Sequence, residues 1–335
     1  MSWRQALRVG GSLLVSGFFV VMVLRLAPLV EIGDAMATVQ PEWLLVAVGL
    51  FGLDYACRIA RWRRMLLTEN RRLGWGRCMV PFMVSIAANN VLPLRTGDVL
   101  RVVGFSGWLG VPTVSLLATL LVERLLDVLV LLAALGLALG LLQVETSGVA
   151  LLANWGGSVL VTMAGVVLAV LVFPAVFALL ARGCVAVVGR VAPGVAARLD
   201  VAVARVFGIL GALAKRHVLV PLLGWSVAVW ALEASVFYAV ARGIPAIANP
   251  MAAWLAMPVG TLSTLLPSTP GYVGTFHYFV AQSSQLVGNP LAASAAFAVV
   301  VHLVLWLCAT LWGGMCFMYW VWVRQPPFSK KDSAA

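Results

Sequence analysis

The chain has 335 residues, 62% of them hydrophobic and only 10% charged, with a mean hydropathy of +1.02 and a formal charge of +11. Soluble domains carry about 25% charged residues, so this composition excludes a soluble globule and indicates an integral membrane protein. The positive charge fits basic cytoplasmic loops beside anionic lipid, and no nucleic-acid partner is expected.

A membrane span needs about 20 apolar residues. In chain order, full-length candidates are residues 9–29, 43–66, 114–142, 158–181, 218–241 and 292–323. The first follows a basic front with Arg4 and Arg8 but is not followed by a small-x-small cleavage site, so it reads as an uncleaved span. Two apolar regions, 78–109 and 251–287, are interrupted. The first carries NNVLPLRTGDVLR at 89–101 and the second LLPSTPGYVGT at 265–275, and in both a Leu-Pro is followed by a glycine four residues after the proline, Pro93 to Gly97 and Pro267 to Gly271.

Lys and Arg fix an orientation. If both interrupted regions are hairpins that leave by the side they enter, 17 of the 23 basic residues fall on the cytoplasmic side, and of the loop positions outside only Arg242 is basic, beside Glu31, Asp34, Glu42 and Glu145. The expected fold is therefore an all-α polytopic membrane protein of about six full spans plus two re-entrant helical hairpins. The hairpins enter from opposite faces and the flanking spans recur at similar spacing. That pattern predicts an inverted-topology repeat, the arrangement in which transporters build a midplane site from broken helices. One transmembrane domain covers 1–324, with repeats at about 43–142 and 218–323. A basic cytoplasmic connector at about 182–216 reads as an interfacial helix from residue 195, and 325–335 as a disordered cytoplasmic tail. The expected location is a bacterial inner membrane, multi-pass, with both termini cytoplasmic.

Backbone that leaves helical geometry at membrane depth must find partners in protein or water. Pro93 lacks an N–H, Gly97 permits unusual dihedrals, and Asn89, Asn90 and Thr96 supply groups for freed backbone. Arg95 and Arg101 would present guanidinium forks suited to phosphate. Asp98 either orients one of them, clamps Arg95, or meets a cationic headgroup. In the second hairpin Pro267, Pro270, Gly271 and Gly274 shape the tip, and Thr269 offers a hydroxyl. In LLVERLLDVLVLL, Glu123, Arg124 and Asp127 are too costly to face lipid. Glu123 and Arg124 line a cavity or brace the hairpin, and Asp127 joins a buried network. Asp54 and Arg58, at i and i+4, form another internal pair, while Glu233, His277 and His302 read as isolated ionisable groups. His277, six residues after the second tip, and Glu233 are candidates for proton coupling.

Five cysteines, Cys57, Cys78, Cys184, Cys308 and Cys316, form no CxxC pair. Neither a disulfide framework nor a metal site is expected, and neither is a cofactor or a catalytic group.

At these motifs the chain resembles the lysylphosphatidylglycerol synthase transmembrane-region family, also described as the flippase-like domain. The residues that carry the resemblance are Asn89 with LPLRTGDVLR, similar to N-x-x-x-P-x-R-x-G-E-x-x-R; ERLLD at 123–127, similar to E-R-x-x-D; and PSTPGYVG at 267–274, similar to P-x-x-P-G-G-x-G. Asp98 stands where the pattern has glutamate, Tyr272 where it has the second glycine, and His277 where a glutamate commonly follows. The resemblance implies a domain that moves a lipid headgroup between leaflets, with or without an attached aminoacyltransferase. Membrane segments and short loops use up these residues, so lysine transfer from tRNA is not expected. The expected activity is a lipid translocase rather than an enzyme. The alternative is a non-transporting scaffold for a lipid-modifying or hopanoid/polyprenyl-glycan pathway enzyme. The expected partners are membrane lipids with anionic headgroups, with a homodimer or a lipid-biosynthesis enzyme as the protein partner.

Overall fold

A computed structural model describes residues 17–22, 28–92, 95–142, 157–266 and 270–324. The described residues fold as helices, with no strand among them. In order these are α1 (Leu29–Ala37), α2 (Pro41–Leu66), α3 (Trp75–Val91), α4 (Thr96–Val99), α5 (Ser106–Leu109), α6 (Thr113–Leu141), α7 (Gly157–Val172), α8 (Pro174–Gly189), α9 (Pro193–Leu213), α10 (Arg216–Arg242), α11 (Ala253–Ser263), α12 (Thr275–Gln285) and α13 (Leu291–Arg324). A single wide turn, Leu100–Gly104, continues α4 towards α5.

By length and apolar composition α2, α6, α10 and α13 can cross a membrane, and α7 with α8 makes a fifth if that pair is one broken span. The protein is thus a multi-pass membrane protein with four or five such elements among the described residues, where the sequence predicts six. Two local reasons account for the difference. The expected straight span 158–181 is instead α7 and α8, which meet at 91°. Pro174 opens α8 without an N–H to continue α7, and it forces Phe173 to φ −117 and ψ 51, outside helical geometry. The expected span 9–29 falls mostly outside the described residues; 17–22 are helical, and Leu29 already begins α1. The expected connector from 182 begins inside α8 and ends at the start of α10, with its middle forming α9, whose Ile209, Leu210 and Leu213 are buried beside Val122 and Leu126 of α6. The tail 325–335 lies outside the described residues.

At the centre α2 and α10 run antiparallel. The amide of Gln40, just before α2, donates to the carbonyl of Gly243, just after α10 (2.8 Å), and Arg61 near the far end of α2 reaches Ser226 near the start of α10 (2.8 Å). Around that pair α3 packs on α13, and α11 packs on both α6 and α12. The α3–α13 contact is close because Gly313 lies directly against Ala87 and the Met83 carbonyl. Phe237, Phe276, Phe297 and Val229 fill the core between α10, α12 and α13, while Trp62, Phe82, Met83 and Phe105 fill a second cluster around α3.

Candidate functional site

The two interruptions become two breaks between helices, and the breaks meet. After α3 the chain turns extended at Leu92 (φ −97, ψ 146), the conformation favoured before a proline. It re-enters helix through Arg95, in the left-handed region at φ 53. After α11, one tight turn (Pro270–Tyr272) carries Gly271 at φ 73 and Tyr272 at φ 58, followed by Gly274 at φ 92. Pro93, Pro267 and Thr269 lie outside the described residues, as does the side chain of Pro270. Among the described residues Arg95 and Tyr272 are the two non-glycine positions with positive φ, each costing on the order of 1–2 kcal/mol of backbone strain. They also touch, the Arg95 guanidinium carbon standing 5.7 Å from the Tyr272 ring centroid.

Further bonds tie the breaks together. Arg95 Nη2 donates to the Thr264 carbonyl at 3.0 Å. Asn90 donates to Thr310 Oγ1 (3.1 Å), and the Trp306 indole donates to the Asn90 carbonyl (3.4 Å). Within the first break Asn89 and Asp98 exchange bonds: the Asn89 amide donates to Asp98 Oδ1 (3.0 Å), and the Asp98 backbone N–H donates to Asn89 Oδ1 (3.2 Å). Gly97 makes this approach possible, since a Cβ there would collide with the Ser85 carbonyl and stand 2.7 Å from Asn89 Oδ1.

Behind the first break lies a buried charge network. Arg101, 1% exposed, holds both oxygens of Glu123, 3% exposed, at 3.3 and 3.2 Å. Arg124, whose side chain is 39% exposed, reaches both oxygens of Asp98 at 3.3 Å and stands 3.9 Å from Asp127. Arg61 binds Asp127 at 2.7 Å, and the Trp230 indole donates to the same oxygen at 3.2 Å. Arg58 bridges Asp54 (2.8 Å) and Glu233 (2.7 Å). Arg95 has no carboxylate within 4 Å among the described residues.

The second break carries a histidine pair. His277 Nδ1 accepts from the Gly274 amide at 3.2 Å, which leaves Nε2 to carry the proton of the neutral ring and to donate to His302 Nδ1 at 3.0 Å. These two histidines, isolated in sequence, are therefore joined. Asn90, Glu233, Thr264, Tyr272, His302 and Trp306 give polar groups to a cavity of about 140 Å³ beside them, whose wall Phe276, Leu305 and Ala309 complete. Two larger apolar grooves flank the bundle. One, about 440 Å³, lies between α2, α3 and α13, with Tyr55 in its wall; Tyr55 also lines the polar cavity. The other, about 540 Å³, lies between α6, α10 and α11, with Trp230 in its wall.

Arg61, one of the 17 basic residues that the charge pattern assigns to the cytoplasmic side, is instead a buried member of the network. The signal was present: 54, 58 and 61 fall on one face of a helix. Thr264, Trp306 and Tyr55 had no such signal, because their roles arise from contacts between the two halves of the chain.

The sequence matches the family described as the lysylphosphatidylglycerol synthase TM region over residues 9–313, a stretch that contains both breaks and the whole charge network. It is also 26% identical over 338 residues to a protein named glycosyltransferase AglD from Haloferax volcanii. That match covers 90% of this chain and 52% of the relative, so the chain spans about half the length of the curated relative it matches.

Proposed function

Since the chain belongs to the lysylphosphatidylglycerol synthase TM region family, we propose that it moves a lipid with an anionic headgroup between the leaflets of a bacterial inner membrane, without covalent chemistry of its own. The observation that carries this reading is the equivalence of the two apolar grooves. Gly52, Tyr55 and Ala56 in one wall stand 175 positions before Val227, Trp230 and Ala231 in the other. Trp312, Met315, Cys316 and Tyr319 stand 178 positions after Ala134, Leu137, Ala138 and Leu141. The packing is reciprocal as well: α3 of the first half lies on α13 of the second, and α11 of the second half lies on α6 of the first. Together with the antiparallel α2 and α10, this supports an inverted repeat with two re-entrant hairpins, one entering from each face.

In this mechanism a hydrocarbon chain lies in a groove while the headgroup passes the point where the breaks meet. Arg95, which has no carboxylate partner among the described residues, takes the phosphate, with the half-exposed Arg124 as its second contact and Asn90, Thr269 and His277 setting polarity around it. Arg101 and Glu123 brace the hairpin, and Asn89 and Asp98 hold its tip. The end of the bundle with Arg63, Arg64, Lys215 and Arg216 faces the cytoplasm, as do both termini.

The test is flipping of a fluorescent anionic phospholipid in liposomes containing the purified protein. Loss of a charge-assisted contact is worth about 1.5–3 kcal/mol, so Arg95→Ala is expected to slow flipping roughly 10- to 100-fold. Wild-type protein no faster than protein-free liposomes, or wild-type rates from correctly folded Arg95→Ala, would overturn the reading. A second reading, a non-transporting scaffold for a lipid-modifying or polyprenyl-glycan enzyme, draws on the match to half of a protein named as a glycosyltransferase and on the exposed helix α9, which carries Arg198 and Arg205. Deleting residues 190–205 separates the two readings: a scaffold loses its enzyme partner, and a translocase keeps flipping that depends on Arg95.

A further inference from the structure

Three of the four arginines in the network, the buried Arg61 and Arg101 and the half-exposed Arg124, each have a principal carboxylate of their own: Asp127, Glu123 and Asp98. The fourth, Arg58, has two. Its Nε donates to Asp54 Oδ2 at 2.8 Å and its Nη2 to Glu233 Oε2 at 2.7 Å. Asp54 is 0% exposed, and its other oxygen, Oδ1, has no hydrogen-bond partner. Two carboxylates on one guanidinium leave a surplus negative charge in the interior, and a buried group without compensation takes up a proton rather than remain ionised.

The neighbouring charges are paired elsewhere, save Arg95, which donates to a neutral carbonyl and has no carboxylate within 4 Å among the described residues. On α2, Arg61 is held by Asp127. On α6, Arg124 is held by Asp98, with Asp127 beside it. Tyr55 from α2 and Trp230 from α10 face Arg58 as rings, at 5.5 and 4.6 Å. His302 of α13 faces Glu233 across the polar cavity, with His277 of α12 hydrogen-bonded behind it, and Arg95 is engaged at the Thr264 carbonyl. A metal ion is a poor alternative occupant, because among the described residues no three His, Cys, Asp or Glu side chains are placed to hold one.

We propose that Asp54 and Glu233 share one dissociable proton, and that this site couples a proton gradient to the lipid movement proposed above, on which the coupling rests. Two placements support it. Glu233 lines the polar cavity while Asp54 lies behind it, so protons reach the pair from the side of the second break. Arg58, which holds Glu233 from 175 positions away, stands against both Tyr55 and Trp230, the rings that wall the two grooves. Loss of the proton leaves both carboxylates charged and pulling on the same guanidinium, which fixes Arg58 between the grooves; uptake from bulk water neutralises one carboxylate and loosens that hold.

The test has two arms, both on the full chain in lipid. Infrared spectroscopy at neutral pH is expected to show a protonated carboxylic-acid band that disappears in Asp54→Asn, which keeps the shape of the side chain and leaves Arg58 and Glu233 as a balanced pair. Glu233→Gln is the second variant, and monodisperse elution with a wild-type melting profile establishes that each is folded. Absence of the band in wild type, or its persistence in both variants, overturns the shared proton. In the second arm, an imposed pH gradient across proteoliposomes is expected to change the wild-type flipping rate several-fold and leave the Asp54→Asn rate unchanged. Wild-type flipping that ignores the gradient overturns the coupling. If the band behaves as expected and the wild-type protein does not flip lipid, the transport reading falls and the coupling with it, while the shared proton stands.

Discussion

Replacing Arg101 with leucine is expected to unfold a large fraction of the protein, whereas replacing Arg101 and Glu123 together with leucine restores most of the fold. Arg101 and Glu123 are both almost wholly buried and meet through two bonds. Removing one partner strands the other's charge and costs about 3–5 kcal/mol, while replacing both with apolar residues of similar size is close to neutral. That single loss is a large share of the 5–15 kcal/mol that typically holds a domain together. The double variant still gives up the cation–π contacts of Arg101 with Trp62 and Phe82, whose ring centroids stand 5.1 and 4.9 Å from its guanidinium carbon, which is why the fold is restored only in most part. Melting temperature and the monodisperse fraction in nanodiscs measure the effect. A single Arg101→Leu variant as stable as wild type would show that Glu123 finds solvent or another partner.

Gly97→Ala is expected to be the most damaging of the small substitutions. The new Cβ would collide with the Ser85 carbonyl, which belongs to backbone and cannot turn aside. Overpacking of this kind costs about 1–3 kcal/mol. The damage also spreads, because Gly97 neighbours Asp98, and displacing Asp98 breaks both its exchange with Asn89 and its pair with Arg124. A double-mutant cycle reads this out: Arg124→Ala should cost clearly less in the Gly97→Ala background than in wild type. Gly136 on α6 is the control. A Cβ there meets nothing within 4 Å, so Gly136→Ala should be neutral or gain up to about 1 kcal/mol from helix propensity. Equal losses at Gly97 and Gly136 would mean that the first break does not pack as described.

The features most legible in the sequence were those in which local chemistry and membrane physics agree. Prolines and glycines inside apolar runs marked both breaks, because lipid offers no partner for freed backbone groups. The charged triad at 123–127 marked buried pairing, since such groups avoid lipid. Other features needed the folded chain. Pro174 was visible, but the apolar length of 158–181 suited a straight span, and length prevailed in the sequence reading over the helix-breaking geometry that the structure follows. The contact between His277 and His302 spans 25 residues, and that between Arg95 and Thr264 spans 169. No periodicity predicts either, since each depends on how whole helices pack.

The Arg58–Glu233 pair carries a consequence for how such a chain arose. In the inverted-repeat reading these two positions correspond, and both lie on the contact between α2 and α10. A symmetric assembly of two identical halves would set each position against its own copy, guanidinium facing guanidinium or carboxylate facing carboxylate, both untenable away from water. If the proposed inverted repeat holds, the halves are no longer interchangeable: an ancestor assembled from two separate identical chains could not carry a like charge at both copies of this position, and the opposed charges became possible only after the copies began to diverge. The two halves expressed as separate chains should accordingly pair with each other and not with themselves.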